Sequence, residues 1–88
     1  MESQWDEETV QNVRDRLARI EGQIRGIGKM IEEQRRCDQI LMQVMAARAA
    51  LEKVAAAVVA TSIDECLTLP PEQARKVIGN SVSMLTQL

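Results

Sequence analysis

The stretch VQNVRDRLARIEGQIRGIGKMI, residues 10–31, sets Val10, Val13, Leu17, Ile20, Ile24, Ile27 and Ile31 at alternating intervals of three and four. An unbroken alternation of that kind over three heptads is the apolar seam of an amphipathic, coiled-coil-like helix. Glu7, Glu8 and Thr9 suit the positive N-terminal end of that helix. Gly22, Gly26 and Gly28 each cost about 1 kcal/mol against alanine inside it. Two readings account for them: close packing against a neighbouring helix, or approach to another chain or to a DNA backbone.

Working outward, Glu32 to Arg36 form a polar break, and a second helix is expected from Cys37 to Glu65. It is rich in alanine, with Ile40, Leu41, Val44, Leu51, Val54 and Val58 as its larger apolar residues, and holds no Gly or Pro. The Thr68-Leu69-Pro70-Pro71 segment ends it, and Pro71 with Glu72 starts a third helix running to about Thr86. Ala74, Ile78, Val82 and Leu85 are the expected stripe of that helix. The expected fold is therefore all-α, with residues 1–88 forming one domain of three helices. The single aromatic residue, Trp5, leaves Leu, Ile, Val, Met and Ala to build the core, which suits helix packing and disfavours a β-sandwich. Eighty-eight residues make a marginal core alone.

Composition excludes several functions. The chain has no histidine, so serine–histidine and cysteine–histidine catalysis and imidazole-based metal sites are removed together. No catalytic acid–base set and no cofactor motif is evident, so an enzyme is not expected. No apolar run approaches the roughly 20 residues of a membrane span. The acidic N-terminus does not resemble a secretory signal, and two cysteines are too few for a stapled secreted scaffold. A cytoplasmic chain with reduced thiols is expected. Net charge is −2, but residues 14–36 carry seven basic and four acidic groups while residues 1–13 are acidic. That asymmetry points weakly to an anionic partner. Arg14, Arg25 and Lys29 fall on one flank of the seam, Arg16 and Arg19 on the other, and the second helix adds Arg48 and Lys53. The two readings are a solvated face and contact with DNA phosphates.

Cys37 and Cys66 stand at opposite ends of the second helix. At about 100° per residue the turn between them is eight revolutions plus about 20°, so both project from one face, roughly 43 Å apart along the axis. They cannot meet within one straight helix. Two antiparallel copies related by a two-fold axis near Leu51 and Glu52 bring Cys37 of one beside Cys66 of the other, at two equivalent sites. The alternative is that both are small apolar fillers. Arg35 and Arg36 beside Cys37 favour a thiolate there, whereas Asp64, Glu65 and a helix C-terminus surround Cys66. An asymmetric pair of this kind suits an attacking and a resolving thiol.

The run Arg16-Leu-Ala-Arg-Ile-Glu-Gly-Gln-Ile-Arg-Gly-Ile27, continued by Met30 to Glu33, Cys37 to Val44 and Ala49 to Val54, resembles the copper-sensitive operon repressor (CsoR) family. The likeness covers nearly the whole chain. It implies a helical bacterial repressor whose antiparallel dimers pair into a flat homotetramer and bind operator DNA. Arg16 and Lys53 match family positions associated with DNA contact, with Arg19 and Arg25 as supporting candidates. Copper sensors of the family place a histidine four residues before the second cysteine; this chain has Ser62 there, and Arg36 where a tyrosine often precedes the first cysteine. Nickel and cobalt sensors need several imidazoles, and formaldehyde sensors typically keep the histidine. A Cys37–Cys66 pair without histidine resembles the persulfide-sensing, CstR-like branch. Its implied inducer is a reactive sulfur species that bridges the two cysteines between subunits. A Cu(I) sensor using the same two thiolates is the alternative.

Overall fold

The computed structural model describes residues 5–87, without the side chains of Ser62, Asp64 and Glu65. Three helices follow in order: α1 (Glu7–Glu32), α2 (Cys37–Cys66) and α3 (Pro71–Leu85). The described residues contain no strand.

Each helix end has a local cause. Asp6 caps α1 by accepting the Thr9 backbone N–H at 2.7 Å, with Glu7 and Glu8 in the first turn. That hydrogen bond holds the Asp6 carboxyl below its ordinary value. At the other end Gln34 takes φ 56°, in the left-handed region. The Gln34 N–H reaches the Ile31 carbonyl and the Arg35 N–H reaches the Met30 carbonyl, each at 3.0 Å. This is a Schellman stop, with glutamine where glycine is the usual choice. It reverses the chain so tightly that α2 begins three residues after Gln34. Pro71 opens α3, where its missing N–H costs nothing.

The short turn makes α1 and α2 an antiparallel hairpin. Val13 and Ile20 of α1 meet Val54 of α2, with Trp5, Ala50, Ala57 and Val58 packed around them. The α1 seam divides into two rows seven residues apart. Val13 and Ile20 face α2 and are buried, with Ile27 half-buried. Val10, Leu17, Ile24 and Ile31 face away, and their exposure rises from 36% at Val10 to 58% at Ile31. One partner helix covers one row only, and α3 does not cover the second. Among the described residues α3 packs on α2 and makes no contact with α1. A Cβ at Gly22, Gly26 or Gly28 would meet nothing within 4 Å. Among the described residues no neighbour therefore requires these glycines, whose positions on α1 point away from the hairpin contact.

The inward residues of α3 are Ala74, Ile78, Ser81 and Leu85. Val82, expected in that stripe, is 47% exposed. The helical repeat of 3.6 residues carries the contact from position 78 to 81 and on to 85.

The chain is a slab of 53 × 27 × 16 Å with a radius of gyration of 16.7 Å. A compact chain of this length has a radius of about 12 Å. Its accessible surface is 7028 Å², where a compact monomer of this mass exposes about 5,200 Å². The excess, together with outward Leu41, Met42, Val44, Met45 and Leu51 on α2, marks a chain that leaves much apolar surface unburied.

Candidate functional site

Cys37 is the first residue of α2 and is exposed. The first-turn backbone N–H groups of Asp38 and Gln39 face the Asp38 carboxylate. The neighbouring arginines are otherwise engaged. Arg36 forms a two-pronged pair with Asp38 across Cys37, Nε to Oδ1 at 3.0 Å and Nη2 to Oδ2 at 2.8 Å. This pair holds the Asp38 carboxyl below its ordinary value. Arg35 lies 3.8 Å from the Glu33 carboxylate and donates to Gln39 Oε1 at 3.4 Å. Each of the two guanidinium groups beside Cys37 thus faces a carboxylate.

Cys66 is the last residue of α2 and is 3% exposed. It sits in an apolar cavity with Val59 and Ile63 of its own helix and Val77, Ile78 and Ser81 of α3. The side chains of Asp64 and Glu65, expected to surround it, lie outside the described residues, as does that of Ser62. Both cysteines are free thiols. A single chain does not bring them together, since they terminate opposite ends of one 30-residue helix.

The basic candidates separate into two groups. Arg16, Arg19 and Lys53 converge on one open groove of about 260 Å³ between α1 and α2, with Ile20, Gln23 and Ala50 forming the rest of its wall. Among the described residues none of these three cations pairs with a carboxylate. Arg16 is steered by Asn12, to whose Oδ1 it donates at 3.1 Å. Arg25 stands about half a turn around α1 from Arg16 and pairs with Glu21 at 2.9 Å. Arg48 pairs with Glu52 at 3.6 Å. Reasoning from sequence missed Gln23, whose Oε1 is buried in this groove without a hydrogen-bond partner. Its signal was present: positions 16, 19, 20 and 23 follow one helical face.

The donor chemistry limits which metals suit the chain. It has no histidine, and among the described residues no group of three or more His, Cys, Asp or Glu side chains is placed to hold a metal ion. A metal that needs imidazoles does not fit these residues. Two thiolates drawn from two copies suit a soft monovalent ion.

A flat helical chain with an uncovered apolar row, a groove of cations that pair with no carboxylate and a thiol at each end of its central helix has the build of a small helical regulator. The chain belongs to the metal-sensitive transcriptional repressor family, whose model matches residues 9–87. It is 42% identical over 57 residues to the copper-sensing transcriptional repressor RicR of Mycobacterium tuberculosis, covering 65% of this chain and 59% of that protein. It is 51% identical over 43 residues to the copper-sensing transcriptional repressor CsoR of Bacillus subtilis, covering 49% of this chain and 43% of that one. The matches thus span about half the length of these curated relatives. The solved nickel-responsive transcriptional regulator InrS superposes with a TM-score of 0.64 at 36% identity, covering 99% of this chain and 92% of its own. These relatives are repressors and regulators, not enzymes. Among the described residues no helix is long and apolar enough to cross a membrane.

Proposed function

We propose that this chain is a cytoplasmic, operator-binding repressor that leaves DNA when persulfide or polysulfide links Cys37 to Cys66 of the partner subunit. The observation that carries the choice of inducer is the donor set: two cysteines, Ser62 four residues before the second, and no histidine anywhere. That set is the one expected of the CstR-like branch.

Assembly is part of the reading. The uncovered row Val10, Leu17, Ile24 and Ile31 and the outward apolar face of α2 call for burial against further copies. An antiparallel α2 pair with dimers joined into a flat tetramer supplies it. The residues positioned for DNA phosphates are Arg16, Arg19 and Lys53. Arg25 is a weaker candidate because Glu21 already occupies it.

The chemistry balances without a cofactor. The Cys37 thiolate attacks the sulfane sulfur of a hydropersulfide RSSH. The RS–SH bond breaks, RS⁻ leaves, and Cys37 becomes a persulfide. The Cys66 thiol of the partner subunit gives its proton to solvent and attacks Sγ of Cys37. The bond to the outer sulfur breaks, hydrosulfide leaves, and a disulfide remains; a longer donor leaves a polysulfide bridge. A link between opposite ends of two long helices favours one shape of the assembly. A coupling of about 1–3 kcal/mol suffices for release.

A second reading is supported by the copper-sensing names of two relatives: Cu(I) held by the same two thiolates across the interface. One experiment separates them. DNA binding is followed by fluorescence anisotropy with a polysulfide donor or with buffered, low free Cu(I), alongside intact mass. The persulfide reading expects release by polysulfide together with a reductant-reversible interchain link. Cys37→Ser is expected to stay on DNA throughout. Release of Cys66→Ser by polysulfide as readily as the native chain, without a link, would sink the bridging mechanism. Release by buffered Cu(I) alone would establish the copper reading.

A further inference from the structure

The burial of Cys66 is the work of α3. Val77, Ile78 and Ser81 of α3 close over the thiol against Val59 and Ile63, leaving no room for a water molecule. Yet α3 itself is thinly held. Among the described residues it rests on α2 and makes no contact with α1, and none of its own residues is fully buried. Among the described residues no side-chain hydrogen bond or ion pair ties it to α2. Beside the thiol cavity its C-terminal half leaves an open apolar groove of about 290 Å³, lined by Ala55, Val58, Val59, Ser81, Met84 and Leu85. Elements with few buried contacts open well below the free energy of global unfolding.

We propose that α3 is a gate over Cys66. Reagents reach Cys37 in the closed fold, and they reach Cys66 only when α3 lifts about the 67–70 connection. The gate imposes an order, Cys37 first and Cys66 second, and it ties any chemistry at Cys66 to a displacement of α3. It stands on packing geometry and holds for any thiol reagent, whether the inducer is sulfur or Cu(I).

The test therefore uses no inducer. The full chain, in its native assembly, is labelled with iodoacetamide and read by intact mass. Cys37→Ser isolates Cys66, and Cys66→Ser isolates Cys37. Cys66 is expected to label at least about tenfold more slowly than Cys37. Ile78→Ala, which removes the side chain over the thiol, is expected to speed Cys66 labelling roughly tenfold and leave Cys37 unchanged. Ala55→Leu, which fills the open groove and holds α3 down, is expected to slow Cys66 several-fold. This opposite sign cannot come from a variant that merely fails to fold. Labelling of Cys66 is expected to rise only shallowly with urea, since little surface opens. Equal rates at the two thiols, no response to either variant, or a urea dependence as steep as global unfolding would each overturn the gate.

Discussion

Replacing Lys53 or Arg16 by alanine removes one of three cations that share a single groove. Each neutralised phosphate contributes about 0.9 to the slope of log affinity against log salt. Between about 50 and about 200 mM salt, one lost contact shrinks the salt-induced fall in affinity by a factor of about 3.5 for each subunit engaged. Because Arg16 and Lys53 face the same groove, the double variant should lose less than the sum of the two singles. Arg25→Ala should change the slope less than either, since Arg25 is drawn half a turn away and already neutralised by Glu21. Arg75→Ala and Lys76→Ala, on α3 and off the groove, should not change it. The assay is fluorescence anisotropy of labelled operator DNA across that salt range, with the assembly of each variant checked by light scattering. Unchanged slopes in both single groove variants would remove the groove from the DNA surface. A larger effect from Arg25 than from Arg16 would refute the argument from ion pairing.

Three further outcomes follow from the fold. Gln34→Gly relieves a left-handed residue that costs about 1–2 kcal/mol against the roughly 0.5–1 kcal/mol of extra glycine entropy. It should raise stability by about 0.5–1 kcal/mol in urea unfolding, and a loss of stability would refute the strain argument. Ile20→Ala, at the centre of the α1–α2 contact, should cost about 2–3 kcal/mol; its melting point and that of the native chain should both rise with protein concentration if assembly completes the core. Asp6→Ala should lower the melting temperature at neutral pH. The lowered carboxyl pKa means that Asp6 stabilises the fold above its unfolded value and loses that effect as pH falls through the folded one. The difference between the two chains should therefore shrink on acidification below about pH 4, and a constant difference would count against the cap.

The helices themselves were legible because their signals are local. The spacing from Val10 to Ile31, the polar break at 32–36 and Pro70-Pro71 place all three elements, with α2 ending at Cys66 and α3 at Leu85, each one residue from the expected end. The absence of histidine and the separation of Cys37 from Cys66 along one helix are likewise matters of composition and rise per residue. The stop at Gln34 was not legible, since glutamine does not advertise a left-handed conformation.

What only the tertiary structure decided depends on the register of the hairpin and on where α3 lies. Hairpin register sets Lys53 beside Arg16 and Arg19, residues more than thirty positions apart in sequence. It also divides one apolar seam into a buried row and an uncovered one. Arg25 stays outside that groove, as its place on the opposite flank of α1 already implied, and Arg35 and Arg36 each face a carboxylate. The docking of α3 makes the two cysteines unlike in a way neither local sequence carries: Cys37 stands open at the start of α2, and Cys66 lies beneath Ile78. Periodicity is a property of a single helix and can be read along it. Burial and convergence are properties of pairs of helices, and they exist only once one helix has been laid against another.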